Sequence, residues 1–473
     1  MSLKDIIALV SGNSFEEEYA KAEEAERQAS GNYFDKNVKD VSQEARTVKR
    51  IPKHDTELLR DIVERIVSEL YGQTEGFVIE NGVCRPLYIR AITEKRPPVT
   101  IEEIRKLPVT LRPQLTGELQ ANDLSSSSGE DLLMEYMRYM QEADQKKKRY
   151  YYGRFRVGMD ILDIDPVVYE LLGRNRNSIS HWLPYIAEAA TKHGFFMIPD
   201  TTVVRVPPSL LQLTRKSYNT LTLTTLKIVD EWAIRVFGLD VNREYFIKTG
   251  IFSSKFDFRN AHVKGEKEVR ELGEYLLFIQ NYATSLAYFM NAKGGISGFY
   301  GVATTNEFVV RDYIRDKESN PCIYNGMPLH TEYRVFIEFD GQGGYEILGI
   351  SPYWRKDVMI SRFSQGPDRD TAKMKHDLAV YLAHEKTLYD RYEKNKDLVL
   401  KRVREMAPDV RLAGQWSLDI MQNGDDFYII DMAEAASSAL IDCVPKEKIK
   451  KTEERWITSD QLAAFSAQEH KKD

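Results

Sequence analysis

Two apolar runs, residues 416–420 and 427–434, flank the polar stretch Gln422-Asn423-Gly424-Asp425-Asp426. An Asn-Gly pair between alternating apolar runs is a strong hairpin signal, so this part of the chain is expected to pair antiparallel. One run carries Asp419 and the other Asp431, and the pairing brings the two carboxylates near each other. Carboxylates on neighbouring strands, close to a polyphosphate, are how proteins hold magnesium: hard oxygen ligands, few from the protein and the rest from water and phosphate. A solvated hairpin with acidic tips is the commoner meaning of such a pattern. The residues upstream separate the two.

A chain of 473 residues is too long for one compact core and predicts two or three domains. Apolar residues at 42% describe a globular protein rather than a disordered one. The net charge of −6 comes from 66 basic and 72 acidic residues, so charge is mixed and gives no reason to expect a nucleic-acid partner. Three scattered cysteines, Cys84, Cys322 and Cys443, fit a reducing cytoplasm and rule out a disulfide framework or a cysteine-based zinc site. No apolar run approaches the ~20 residues that cross a bilayer, and the first residues lack a signal-peptide pattern. A cytoplasmic protein with no membrane partner is the expectation.

Texture divides the chain into four. Residues 1–150 read as a mostly helical extension, with core-facing spacing from Thr56 to Tyr71 and a linker candidate at 123–129. Within it and just beyond, the run from Lys146 to Arg156 interleaves basic and aromatic residues. Such a run can bind a nucleic-acid strand, but a basic helix end leading into an exposed strand explains it as well. Residues 151–240 resemble an α/β unit, with a helix at 182–192 and strands at 195–198 and 201–206. From 241 to 445 strands alternate with two long helical stretches: strands at 245–249, 308–314, 332–339 and 345–351, helices at 266–291 and 371–406. A charged tail, 446–473, follows.

Four features of the third segment bear on one another. Tyr245-Phe246-Ile247-Lys248-Thr249 is a strand that delivers a rigidly aimed lysine, and Ser253, Ser254 and Lys255 form a small-residue loop that can close over phosphates. Arg311 and Arg334 each sit inside an apolar strand. A guanidinium cannot shed its charge, so an arginine on the inner face of a sheet needs an anionic partner. Glu307 and Glu332 are available for structural ion pairs. Two such arginines together with Lys248 and the Asp419/Asp431 pair instead describe a polyphosphate site with its counter-ions. No P-loop, kinase catalytic set or histidine metal pairing competes with this; His330 alone falls near the site, and a surface role is the commoner reading for it.

Lysine strand, arginine hinge strand, Glu332-Tyr333-Arg334 strand and aspartate hairpin resemble, in order and spacing, the ATP-grasp superfamily. The nearest likeness is to its clade with two strand arginines and a lysine, which includes the eukaryotic cell-division-cycle assembly chaperones and phage and bacterial relatives. Trp182-Leu183-Pro184 and Ile198-Pro199-Asp200-Thr201 are similar to the lobe that precedes the grasp. The resemblance spans roughly residues 175–445. It implies an α+β protein, with a two-lobe ATP-grasp core, a preceding α/β lobe and the helical extension. By position it implies that Lys248 contacts nucleotide phosphates and Ser253, Ser254 and Lys255 cover them. Arg311, Asp312 and Tyr313 would form the hinge beside the adenine, and Arg334 would reach the γ-phosphate or an acyl-phosphate. Asp419 and Asp431 would hold Mg2+, with Glu434 standing in for an asparagine ligand where this chain has Ala433. The implied reaction is ATP- and magnesium-dependent ligation of a carboxylate to an amine, with Lys248, Arg311 and Arg334 catalytic and a peptide or protein among the conceivable substrates. The alternative it implies is an ATP-binding assembly chaperone without turnover.

Overall fold

The computed structural model describes residues 55–89, 96–115, 172–215, 221–292, 305–365 and 371–450, with isolated positions at 143–144, 146–147 and 169. Helix α1 (Asp55–Gly72) buries Ile62, Val63, Ile66, Val67 and Leu70, a stripe at helical spacing. The chain then turns through Asn81 (φ 49°) and Gly82 (φ 75°), joining strands β1 (Glu75–Glu80) and β2 (Val83–Pro86). Helix α2 (Leu183–His193) starts with Pro184 in its first turn and stops at Gly194, whose φ of 68° suits a residue without Cβ. Short strand β3 (Phe196–Met197) and strand β4 (Thr201–Arg205) follow, then α3 (Leu223–Phe237), capped by Thr222 and closed by Gly238.

Strands β5 (Tyr245–Thr249) and β6 (His262–Val263) precede α4 (Leu272–Ala292). Next come β7 (Glu307–Asp312), the short pair β8 (Cys322–Ile323) and β9 (Met327–Pro328), β10 (Thr331–Asp340) and β11 (Tyr345–Pro352). Helices α5 (Lys356–Gln365) and α6 (Ala372–Met406) lead to β12 (Ala413–Asn423) and β13 (Asp426–Glu434).

Two sheets organise these elements. The first is antiparallel, in the order β2-β1-β4-β7-β5-β6, and the second runs β11-β10-β12-β13-β3, antiparallel except where β3 joins β13. One face of the first sheet, bearing Val204, Ile247, Phe308 and Val310, packs on α1, α3 and α4 through Ile66, Trp232 and Leu276. Its other face contributes Val203 and Val309 to a second core, where α2 and α6 cover Tyr333, Val335, Leu418 and Ile420 of the second sheet. The α+β expectation holds.

The divisions expected at 150 and 240 run through a single sheet. Strands β1 and β2 come from the segment expected to be a helical extension, and β4 from the expected α/β lobe, yet β4 lies hydrogen-bonded between β1 and β7. Each of these short strands leaves backbone groups that only its neighbours satisfy, so they settle as one unit. The stretch 371–406 is one long helix, with α5 separate before it. Lys448 and Lys450 pair with Glu346 and Glu338, docking the start of the tail on the second sheet. The linker at 123–129, residues 148–156 of the basic-aromatic run and the rest of the tail lie outside the described residues. Among the described residues no helix is long and apolar enough to cross a membrane.

Candidate functional site

Register places three charged side chains in a row across the second sheet: Arg334 on β10 is opposite Asp419 on β12, and Asp419 is opposite Asp431 on β13. Directly paired antiparallel residues share a face, so all three point the same way. Across from them, Lys248 on β5 and Arg311 on β7 share the inner face of the first sheet. A cleft lies between the sheets, lined among others by Lys248, Lys255, Arg311, Glu332, Asp419 and Asp431.

The cleft is braced by charge. Lys248 Nζ donates to Asp431 Oδ1 at 3.0 Å, and Arg334 grips Asp419 bidentately, Nε to Oδ1 at 2.7 Å and Nη2 to Oδ2 at 2.6 Å. Burial drives the Lys248 ammonium down from its ordinary value, against the pull of Asp431. Burial also drives the Asp431 carboxyl up, but Lys248 and Arg311 outweigh it and hold it below the usual range. For Arg334, burial opposes the charge and Asp419 more than restores it.

Arg311 is different. It is 3% exposed, and Nη1 donates to the carbonyl of Ile430, while Nε and Nη2 are buried without a partner. The Ile430 carbonyl is available because the β12–β13 register slips between Asp419 and Ile420, leaving Ile430 as the extra residue of a bulge. Burial pushes this guanidinium down to about 10. Two unmet donors on a buried cation, facing a cleft, describe a site shaped for an anion.

Lys255 closes one side. Its ammonium contacts the Tyr353 hydroxyl and sits 4.4 Å from that ring's centre, while Arg334 stacks on the same ring at 4.7 Å. Tyr353 thus ties the loop lysine to the strand arginine. Beside them Glu332 accepts from Trp354 Nε1 at 3.2 Å, and burial pushes its carboxyl up to about 7. The lining is also apolar in part, with Phe246, Phe258, Tyr313, Ile314, Met327 and Met421. Tyr313 stacks on His262 at 3.8 Å, and its backbone N–H donates to the Glu244 carbonyl. The cleft therefore offers flat apolar surface together with concentrated positive charge.

Not every expected residue arrives. Ser253 lines the cleft, whereas Ser254 is buried outside the lining in a left-handed conformation (φ 42°) that starts the turn from Lys255 to Asn260. Asp312 lines the cleft with its carboxylate paired to Arg243. Glu434 stands outside the lining, its carboxylate 3.2 Å from Arg176 Nη1, so its expected part in holding metal is corrected. Neither glutamate serves as the arginines' structural partner. Glu307 is held by the hydroxyls of Ser178 and Ser180 and lies against Gly250, where a Cβ would fall 2.2 Å from Ser178 Oγ.

No family model matches this chain, and no curated protein does. Two solved structures of Cdc123 from Schizosaccharomyces pombe, one of them C-terminally truncated, are similar to it at 13% identity, with TM-scores of 0.32 and 0.31 for the whole and truncated forms. Each alignment covers 58% of this chain and 93% of the other. Likeness at this level is weak, and the cleft's own residues decide what it can do.

His330, expected at the surface and without metal partners, is instead buried on the cleft wall, with ligand atoms of Asp316 and Glu318 within 4.8 Å. Arg391 lies 3.3 Å from Glu318, and the Asn320 amide is 3.4 Å from His330 Nδ1, so protein groups already fill that cluster. Tyr353, Trp354 and the Ile430 bulge carry no local sequence signal for a role here.

Proposed function

We propose that this chain is an ATP- and magnesium-dependent carboxylate–amine ligase of ATP-grasp type, acting through an acyl-phosphate. The single observation that carries the nucleotide part is Arg311, a buried guanidinium with two unpartnered nitrogens beside Lys248. Lys248 and Arg311 bind the phosphates from the first sheet. Arg334 orients the terminal phosphate from the second, and Lys255 screens it from water on the loop side. The base lies against Phe246, Phe258 and Tyr313, at the hinge. Asp419 and Asp431, both anionic oxygen donors on adjacent strands, suit a hard divalent cation, and that ion, when bound, neutralises phosphate charge. Ligation by this route asks the protein for positioning, charge neutralisation and exclusion of water, with no covalent nucleophile.

The test is direct. Purified full chain incubated with ATP, magnesium and an amino-acid mixture is expected to release ADP and phosphate only when an acceptor is present. Absence of turnover with every acceptor, alongside retained nucleotide binding, would assign the site to an ATP-binding assembly role. Absence of nucleotide binding would overturn both.

A further inference from the structure

Each carboxylate suited to metal is clamped by a cation suited to phosphate. Asp431 holds Lys248, and Asp419 holds Arg334. We infer that the cleft works as a charge-exchange lock, in which metal and nucleoside triphosphate must arrive together to swap partners with these two ion pairs. The inference rests on the nucleotide reading above and adds how the site is gated.

Consider each ligand alone. A divalent cation approaching Asp419 and Asp431 meets carboxylates already neutralised, with Lys248, Arg311, Arg334 and Lys255 crowding the same volume. Repulsion from four cations in a largely buried cleft opposes it. A metal-free triphosphate finds Lys248 and Arg334 occupied and two carboxylates facing it, with only Arg311 and Lys255 free of ion pairs. When both arrive, the metal takes the carboxylates and the phosphates take the ammonium and guanidinium, so no buried charge is left alone at any stage.

The geometry supports exchange rather than fixed bracing. The Asp431 side chain is 42% exposed toward the cleft while Lys248 is 2% exposed, so the carboxylate is the accessible partner. Arg311, with its two unmet donors, stays as the anchor in both states.

Isothermal titration of the full chain with ATP in chelator, with Mg2+ alone, and with each in the presence of the other reads the coupling. In the wild type, magnesium is expected to tighten ATP binding by roughly tenfold or more, and ATP to tighten magnesium binding by the same factor, since linkage is reciprocal. The decisive variant is Asp431→Asn, which keeps an oxygen for Lys248 but removes the charge that holds it. It should bind metal-free ATP several-fold more tightly than the wild type, while the gain from magnesium falls below about threefold. Asp419→Asn carries the same expectation through Arg334, and serves if Asp431→Asn melts before it can be titrated. Variants that bind metal-free ATP no better than a wild type that binds Mg–ATP well would overturn the lock and leave the nucleotide reading standing. A wild type that binds ATP in neither condition would remove the nucleotide reading first, and the lock with it.

Discussion

Arginines stand inside strands on both sides of the cleft, and they are satisfied in opposite ways. Arg334 on the second sheet makes a bidentate pair with Asp419, whereas Arg311 on the first has one backbone carbonyl and two empty donors. The sequence around them is alike, so burial in a strand does not by itself tell a bracing arginine from a binding one. Its partners do. Removing Arg334 strands a buried carboxylate, so Arg334→Met should cost about 3–5 kcal/mol of stability in urea unfolding. Arg311→Met removes a buried charge that has Asp431 nearby but no carboxylate hydrogen-bonded to it. Its stability should hold or rise, while affinity for Mg–ATP falls by about a hundredfold, two charge-assisted bonds at about 1.5 kcal/mol each. Equal losses of stability would erase the distinction.

Carboxyls in the cleft differ in the same instructive way. Asp431, beside Lys248 and Arg311, is held below its usual range, while Glu332, with one indole N–H, is pushed by burial from 4.5 to about 7. For Glu332 the folded protein binds a proton that the unfolded chain releases between those two values. Stability from this group is therefore present at pH 4.5 and lost as pH rises toward 7, on the order of 3 kcal/mol. Asp431 acts oppositely, contributing stability above the unfolded pKa that fades as pH falls. Glu332→Gln should flatten the slope between about pH 4.5 and 7 and raise the melting temperature at pH 8. A variant that kept the wild-type slope would place that titration elsewhere.

Local pattern explains what could be read in the sequence. Strand β5 falls on the expected residues, and the aspartate hairpin turns where Asn423-Gly424 predicted, with Gly424 at φ 68°. Asn81-Gly82, flanked by Val78, Ile79 and Val83, carries the same signal and marks the β1–β2 turn, so one rule applied twice would have found that hairpin. What stayed hidden depends on register between distant strands. Arg334 and Asp419 are 85 residues apart, and only the β10–β12 pairing makes them partners, which is why nearby Glu332 looked available. The bulge at Ile430 has no residue signature, yet it supplies the carbonyl that seats Arg311.

Glu434 sets the boundary of the site. Three residues beyond Asp431, it falls on the opposite face of an extended strand, and the structure seats it opposite Trp416. Its carboxylate pairs with Arg176, which stacks on the Trp416 ring at 5.0 Å, and its backbone N–H donates to Asn177. These contacts tie β13 to the segment before α2 and lead away from the cleft. Glu434→Gln should therefore leave magnesium-dependent ATP affinity within about twofold of wild type, and cost on the order of 1 kcal/mol of stability, as a partly exposed ion pair does. A tenfold loss of magnesium coupling in this variant would bring Glu434 into the metal's reach and require β13 to twist when the nucleotide binds.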